Sequence, residues 1–388
     1  MEGLEQKSIE QAKRDMERTA KGPMDLPFAL LVVLLSGIGL VMMFSASYAV
    51  ADVRTSTPAF YVSRQGLYML MGMAVMLMVS RFNYNYFSSF SIPAMIAAVV
   101  LLVVVLFVGS DQKEAVRWIN FGFFNIQPSE IAKVAVIVLF ATMIAASPGR
   151  LEEKRLLPAL WGVAPYMGLL VLIAGLMALQ PHFSGIILIL AVGGVMLFMG
   201  GLALRWIALV GGAGIGGMYI LITATEYAAN RIAIWQDPWL APRDGGWQTI
   251  QSLYAVASGG WFGLGLGQSR QKYSYLPEPH NDFVFAIVCE ELGLFGALVV
   301  LFLFMLLIAR GFWIALNARD TFGRLLVAGV TVRLAIQTFL NVAVVTNLIP
   351  VTGISMPFFS YGGSSLVIQM VEMGIVLAVS RQIRATSP

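Results

Sequence analysis

Ten apolar runs constrain the fold of this chain more than any other feature of its sequence. A helix rises 1.5 Å per residue, so it needs about 20 apolar residues to cross the roughly 30 Å of hydrocarbon in a bilayer. The runs lie at 26–48, 66–82, 90–109, 131–147, 159–179, 184–200, 206–225, 283–309, 325–346 and 366–380. The chain is also 58% hydrophobic and only 12% charged, unlike a soluble domain. The sequence therefore predicts an all-α membrane protein with about ten transmembrane helices.

The distribution of positive charge predicts the orientation of these helices. With ten spans both termini lie on one side, and a cytoplasmic N-terminus places fifteen Lys and Arg residues in inner segments against nine in outer ones. Because short cytoplasmic segments carry the excess of Lys and Arg, both termini are expected in the cytoplasm. The predicted organisation is a cytoplasmic tail at 1–25, a membrane domain at 26–381 and a cytoplasmic tail at 382–388. A large extracytoplasmic loop at 226–282 connects helices 7 and 8.

Net charge and cysteine content exclude two further classes of function. The net charge of +4 is explained by the cytoplasmic segments of a membrane protein, so we expect contact with membrane lipids and no nucleic-acid binding. Cys289 is the single cysteine and lies inside an apolar run, which excludes an intramolecular disulfide and a site built from several thiolates.

The outer segment "RWINFGFFNIQPSEIAK", from Arg117 to Lys133, carries the first group of candidate residues. Pro128 is compatible with the first turn of a helix, and Glu130 and Lys133 are then one turn apart. They could form an ion pair that only stabilises the start of the helix. Alternatively, Arg117 and Lys133 could hold a phosphate, since Arg offers a planar fork and Lys a point charge.

The outer segment "LPEPHNDF" carries the second group. Pro277 and Pro279 exclude regular helix and predict a stiff loop that presents Glu278, His280 and Asp282. Asp282 could act as a general base, because partial desolvation at the end of a span raises a carboxyl pKa. It could equally cap the helix that starts near Phe283. His280 is an alternative base or an ordinary loop residue.

Four charged residues fall inside predicted spans, namely Glu290, Glu291, Arg333 and Glu372. Such groups are costly in a membrane and usually pair, face the bundle interior or line a polar path. We expect an ion pair of Arg333 with Glu290, Glu291 or Glu372, and a proton or substrate path is the functional alternative.

Two segments rich in glycine are also informative. The spacing of glycines at 259–267 does not match a dinucleotide-binding fingerprint, and close backbone packing is the better interpretation. The segment "NLIPVTGISMPFFSYGGSS" at 347–365 contains prolines and glycines that interrupt any helix, and it predicts a folded outer loop lining a cavity.

These motifs resemble the SEDS family, which covers the FtsW, RodA and SpoVE proteins. The matching segments are "RWINFGFFNIQPSEIAK", "QPHFSG", "SGGWFGLGLGQSRQKYSYLPEPHNDFVFAIVCEELG" and "IPVTGISMPFFSYGGSS", and they occur in the family's order between about Leu26 and Arg381. The "SRQKYSYLPEPH" segment is more similar to the FtsW and SpoVE type than to RodA. The resemblance implies a peptidoglycan glycosyltransferase that polymerises lipid II at the outer face of the bacterial cytoplasmic membrane, in division, elongation or sporulation.

The resemblance also implies roles for particular residues. The family's catalytic aspartate falls on Asp282, and its other motifs suggest substrate binding by Arg117, Trp118, Glu130, Lys133 and His280. Two departures are His182, where many members have aspartate, and Asn281, where many have threonine. The implied partners are lipid II and a class B penicillin-binding protein that cross-links the new strand. A divalent cation, Mg²⁺ or Mn²⁺, is a candidate helper, although the sequence shows no dedicated metal site.

The expected mechanism is a single displacement with inversion. Asp282 would deprotonate the 4-hydroxyl of an acceptor sugar, which attacks the anomeric carbon of an α-linked diphosphate donor and forms a β-1,4 bond. Arg117 and Lys133, with Arg243 as a further candidate, would stabilise the departing diphosphate. The alternatives are a lipid II flippase, which moves substrate without making glycan, and a scaffold that recruits a transpeptidase.

Overall fold

A computed structural model describes residues 22–384, apart from 113–114, 121, 123–124, 152–155, 181, 207, 209–210, 213–225 and 274. Its helices are α1 (Leu26–Thr55), α2 (Phe60–Val79), α3 (Asn85–Ser89), α4 (Ser91–Val108), α5 (Pro128–Ala146), α6 (Leu156–Ala178), α7 (Phe183–Met199), α8 (Glu226–Gln236), α9 (Trp247–Ser258), α10 (Val284–Leu316), α11 (Thr321–Val345) and α12 (Gly363–Arg384). Three short strands are β1 (Ser110–Gln112), β2 (Ala115–Asn120) and β3 (Asn125–Ile126).

The helical membrane fold predicted from the sequence is confirmed. Within the described ranges, eight helices are long and apolar enough to cross a membrane, and α7 is an apolar helix of 17 residues. Nine of the ten apolar runs thus form helices, whereas the run at 206–225 lies largely outside the described residues. The helices α1 and α2 extend further toward each other than predicted, to Thr55 and from Phe60, because hydropathy detects only the apolar part of a helix.

The central helices of the bundle are α5, α11 and α12, whose apolar windows are about two-thirds buried inside the protein. The peripheral helices α2, α4 and much of α10 bury less than a third of theirs, so their apolar side chains are left to face lipid. Polar side chains can therefore be kept away from lipid hydrocarbon on the central helices, which bury more of their surface inside the protein. Four buried charges, Glu130, Lys133, Arg333 and Glu372, lie on the three central helices, whereas Glu290 and Glu291 lie in the buried first part of α10.

The segment before α5, predicted to lie on the outer side, forms a small antiparallel sheet in the order β1-β2-β3, which the sequence analysis did not predict. Residue Ser110 pairs with Trp118, and Ile119 pairs with Ile126. The strands contain only two to six residues, too few for a clear alternating pattern in the sequence. The sheet holds Arg117 and Trp118 close to the first turn of α5.

Helix α10 is divided by a break at Gly293, whose φ of 68° is accessible mainly to glycine. The buried part at 284–292 ends there, and the amides of Leu264 and Gly265 donate to the carbonyls of Glu290 and Glu291 at 3.0 Å each. A Cβ on Gly293 would clash with the backbone nitrogen of Gly263. The predicted close backbone packing of the glycine-rich segment is therefore confirmed, and it satisfies carbonyls that a broken helix leaves open.

Candidate active site

A cavity of about 470 Å³ lies at the end of the bundle where α5, α7 and α10 begin. It brings together segments that are far apart in the sequence. Five of the predicted site residues line it, namely Arg117, Trp118, Glu130, Lys133 and Asp282. The segment at 353–355 and the residues Tyr361 to Gly363 form another wall, as expected for the predicted outer loop.

Asp282 is half-buried and its side chain faces this cavity. Helix α10 begins at Val284, and its N-cap residue is Phe283, which forms no side-chain capping hydrogen bond, so Asp282 is not the N-cap residue of this helix. On the opposite side, a Cβ built on Gly353 would lie 3.3 Å from Oδ2 of Asp282. Gly353 has a φ of 70°, and its lack of a side chain leaves the carboxylate access to the cavity.

Glu278 organises the proline-containing loop that carries Asp282. Its backbone has a φ of 49°, and its carboxylate accepts a hydrogen bond from Nδ2 of Asn281 at 2.9 Å. The guanidinium of Arg54 at the end of α1 donates to the same carboxylate at 3.4 Å. The polar side chain of Asn281 thus has a structural use in the loop.

His280 is placed differently from the other candidates. It is buried and packs against the rings of Tyr61 and Tyr361, at centroid distances of 4.5 and 5.9 Å. Its Nε2 lies 3.7 Å from a carboxylate oxygen of Glu278, and its carbonyl accepts a hydrogen bond from the Tyr361 amide at 2.8 Å. His280 is not among the cavity-lining residues, so its visible contribution is to support the loop.

A buried chain of four charges runs from the cavity wall into the bundle. Nζ of Lys133 lies 2.5 Å from Glu130, and Arg333 lies 3.6 Å from Glu130 and 3.0 Å from Glu372. The predicted ion pair of Arg333 with Glu372 is therefore present. Two cations offset two carboxylates, which is how buried charges become tolerable in a membrane protein. Glu130 and Lys133 form an ion pair at the start of α5, and both side chains also line the cavity.

Glu290 and Glu291 do not pair with Arg333, contrary to one of the expected arrangements. Glu291 binds Nζ of Lys272 at 3.0 Å and the hydroxyl of Ser45 at 2.7 Å. Glu290 accepts a hydrogen bond from the hydroxyl of Ser269 at 2.5 Å. These carboxylates fasten the loop to the buried part of α10, because the loop supplies the Lys272 cation and the Ser269 hydroxyl, and Ser45 on α1 adds a second hydroxyl donor.

His182 lies just before α7, beside Arg117 and Lys133. Burial first, and then the neighbouring cations Arg117 and Lys133, lower the pKa of its imidazole to about 3. The imidazole is therefore neutral at physiological pH. Nearby, Nε of Arg117 donates to the carbonyl of Gln180 at 3.3 Å, which orients the guanidinium at the cavity wall.

Several cavity residues were missed by the sequence analysis, namely Arg64, Gln248 and Gln337. Arg64 is exposed on α2 and was counted only as an outer positive charge. Its position in the first turns of a span, on the same predicted side as Arg117, was the available signal. Arg243 is exposed and does not line the cavity. No group of three or more His, Cys, Asp or Glu side chains suited to a metal ion occurs among the described residues.

Comparison with known proteins decides the family. The model of the cell cycle protein family, which covers FtsW, RodA and SpoVE, matches residues 26–385. The chain belongs to this family. It is 39% identical over 358 residues to the probable peptidoglycan glycosyltransferase FtsW of Trichlorobacter lovleyi, covering 92% of this chain and 93% of that protein. It is also 39% identical over 368 residues to stage V sporulation protein E of Bacillus subtilis, covering 94% and 99%.

Solved structures agree with this family membership. The fold matches a chain in a structure that describes coordination of polymerization and crosslinking by a peptidoglycan synthase complex, with a TM-score of 0.78, 27% identity and coverage of 93% and 98%. It matches the rod shape determining protein RodA of Thermus thermophilus with a TM-score of 0.67, 27% identity and coverage of 92% and 97%. This FtsW/RodA/SpoVE family member is thus a multi-pass membrane protein, and the assignment to a glycosyltransferase is confirmed.

Proposed function

We propose that this protein polymerises lipid II into β-1,4-linked glycan strands, with Asp282 as the general base. The observation that carries this proposal is the cavity itself, which places the Asp282 carboxylate on the same surface as Arg117 and Lys133. Glycan polymerisation from a diphosphate donor needs a base for the attacking hydroxyl and cations for the leaving group. A cavity that combines a carboxylate base with two cations is suited to this reaction.

The proton transfer is assigned to Asp282. The acceptor's 4-hydroxyl would lie within hydrogen-bond reach of the carboxylate, and it would attack the anomeric carbon of the donor as it loses its proton. An α-linked donor that gives a β-linked product undergoes one inversion, so a single base is sufficient and no covalent sugar intermediate is needed. Gly353 supports this role because its missing side chain leaves space beside Oδ2.

The leaving polyprenyl diphosphate is assigned to the cationic side of the cavity. Arg117 and Lys133 were expected to hold it, and Arg64 adds a third cation at the cavity wall. Lys133 shares its charge with Glu130, so Arg117 and Arg64 provide the larger part of the attraction for a diphosphate. Trp118 supplies an apolar face beside them that can pack against the sugar or lipid portion.

The location and partner follow from the same proposal. The cavity would face the outer side of the cytoplasmic membrane, with both chain termini in the cytoplasm, so that a lipid-linked sugar reaches Asp282 from the outer leaflet. A class B penicillin-binding protein is the proposed partner, and the structural match to a peptidoglycan synthase complex supports this choice. Relatives named FtsW and stage V sporulation protein E favour a role in division or sporulation.

Reconstitution into liposomes tests the proposal. Labelled lipid II is supplied to the purified protein, with and without its transpeptidase partner, and both glycan strands and lipid II movement between leaflets are measured. The proposal expects glycan strands of many disaccharides. Movement of lipid II without glycan would establish a flippase instead, and neither product, with the partner bound and the fold intact, would favour a scaffold.

A further inference from the structure

A polar stripe on α11 lies behind the proposed active site. Arg333, Gln337 and Asn341 are spaced four residues apart, which places them on one face of the helix. All three are buried, and Asn341 has no exposed surface at all. Arg333 is explained by its ion pairs with Glu130 and Glu372. The two amides need a separate explanation.

Asn341 connects two walls of the cavity. Its Nδ2 donates to the carbonyl of Asp282 at 2.9 Å and to the carbonyl of Ile354 at 2.6 Å. Asp282 is the proposed base, and Ile354 follows Gly353, the residue that leaves space beside Oδ2 of Asp282. One amide group therefore sets the separation between the backbone that carries the carboxylate and the backbone opposite it.

Gln337 reaches the same wall one helical turn away. Its Nε2 donates to the carbonyl of Ser355 at 3.0 Å and to the hydroxyl of Ser355 at 3.4 Å. The amides of Gln337 and Asn341 thus hold consecutive residues of the outer loop against α11. This loop carries Gly353, so α11 determines how closely the loop approaches Asp282.

The side-chain amides of Asn341 and Gln337 form hydrogen bonds through their nitrogen atoms and none through their oxygen atoms among the described residues. Oδ1 of Asn341 and Oε1 of Gln337 are buried and have no hydrogen-bond partner among the described residues. An unsatisfied buried acceptor costs about 1–3 kcal/mol. An apolar side chain would avoid that cost. The benefit of an amide at these two positions therefore comes from the hydrogen bonds that its N–H groups donate.

We infer that Asn341 is a positioning residue for the reaction, acting through the backbone of Asp282. It touches no substrate in this account, and the inference rests on the proposed function because Asp282 is the proposed base. Without the two donated hydrogen bonds, the carbonyls of Asp282 and Ile354 lose their shared connection to α11 and the two walls can separate. Since a displacement of about 1 Å in a reacting group can lower a rate about 10²-fold, turnover should fall while substrate binding persists.

The test compares Asn341→Leu with Thr338→Val on the same helix. Thr338 is a good control because its buried hydroxyl bonds only the carbonyl of Leu334, within α11 itself. Both variants remove buried hydrogen bonds, but only the first releases Asp282. We would measure the thermal midpoint, amide hydrogen exchange over the peptide 281–289, lipid II affinity, and kcat and KM for polymerisation.

The inference expects Asn341→Leu to exchange at least tenfold faster over 281–289 and to lose about 10²-fold in kcat, with lipid II affinity within about twofold of the native value. Thr338→Val should change neither the exchange rate over 281–289 nor kcat. If Asn341→Leu does not fold, Asn341→Ser, which keeps one donor, takes its place in the same comparison.

Equal exchange in the two variants, or a loss in lipid II affinity that accounts for the lost rate, would overturn the inference. The exchange measurement also separates this inference from the proposed function. If the native protein makes no glycan while exchange over 281–289 still depends on Asn341, the proposed function fails but the hydrogen-bonded connection to Asp282 stands.

Discussion

The buried ion pair between Arg333 and Glu372 predicts an unequal response to the removal of either partner. The two side chains are about 2% exposed and 3.0 Å apart, and breaking such a pair typically costs about 3–5 kcal/mol. After Glu372→Gln, Arg333 still has Glu130 at 3.6 Å, so we expect a loss near the lower value, about 3 kcal/mol. After Arg333→Met, Glu372 and Glu130 lose their shared cation, so we expect a loss near about 5 kcal/mol.

Reversible unfolding in mixed micelles, followed by circular dichroism, measures these free energies. The double variant Arg333→Met/Glu372→Met removes both charges and should recover a large part of the loss, because no uncompensated charge of this pair remains. A Glu372→Gln variant that loses as much stability as Arg333→Met, or single variants that lose less than about 1 kcal/mol, would refute the assignment of these charges as a buried structural network.

Three further changes test other parts of the structure. Gly353→Ala places a methyl group about 3.3 Å from Oδ2 of Asp282 at a φ of 70°, and we expect at least tenfold slower polymerisation with a stability loss of about 1–2 kcal/mol in a thermal melt. Gly293→Ala forces a Cβ against the Gly263 backbone, so the thermal midpoint should fall sharply and the loop at 259–267 should become sensitive to protease; unchanged melting would contradict the packing described at this break. The pKa of His182 is lowered to about 3, so the unfolded chain binds more protons between pH 3 and 6.5 and stability must fall as the pH falls through that window. Unfolding at pH 7 and pH 5 should show about 2 kcal/mol of this loss in the native protein and little of it in His182→Gln.

Hydropathy and motif order predicted most of the fold because each signal depends on residues close together in the chain. The apolar runs match nine helices, and the proline-stiffened loop does present Asp282 to a cavity. The short strands around Arg117 were missed because their register depends on contacts between segments rather than on a local pattern.

The partners of the buried charges could be predicted only in part. Arg333 with Glu372 was among the expected pairs, but Glu291 binds Lys272, a residue of the predicted outer loop that was not considered as its partner. The break at Gly293 was also missed, because the sequence shows a glycine there without showing its backbone angle. Asn341 was missed because an amide in an apolar helix has no distinctive pattern, and its contacts lie 59 and 13 residues away in the chain.

The central claim is that Asp282 is the base of a glycan polymerase, and the most direct measurement compares single-turnover polymerisation by the native protein, Asp282→Asn and Asp244→Asn. Asp244 is an exposed carboxylate in the same outer loop and does not line the cavity, so it controls for the loss of one negative charge. We predict that Asp282→Asn lowers the rate by about 10²–10⁴-fold with lipid II binding and folding retained, and that Asp244→Asn keeps the native rate. Full polymerase activity in a folded Asp282→Asn variant at saturating lipid II would contradict the account.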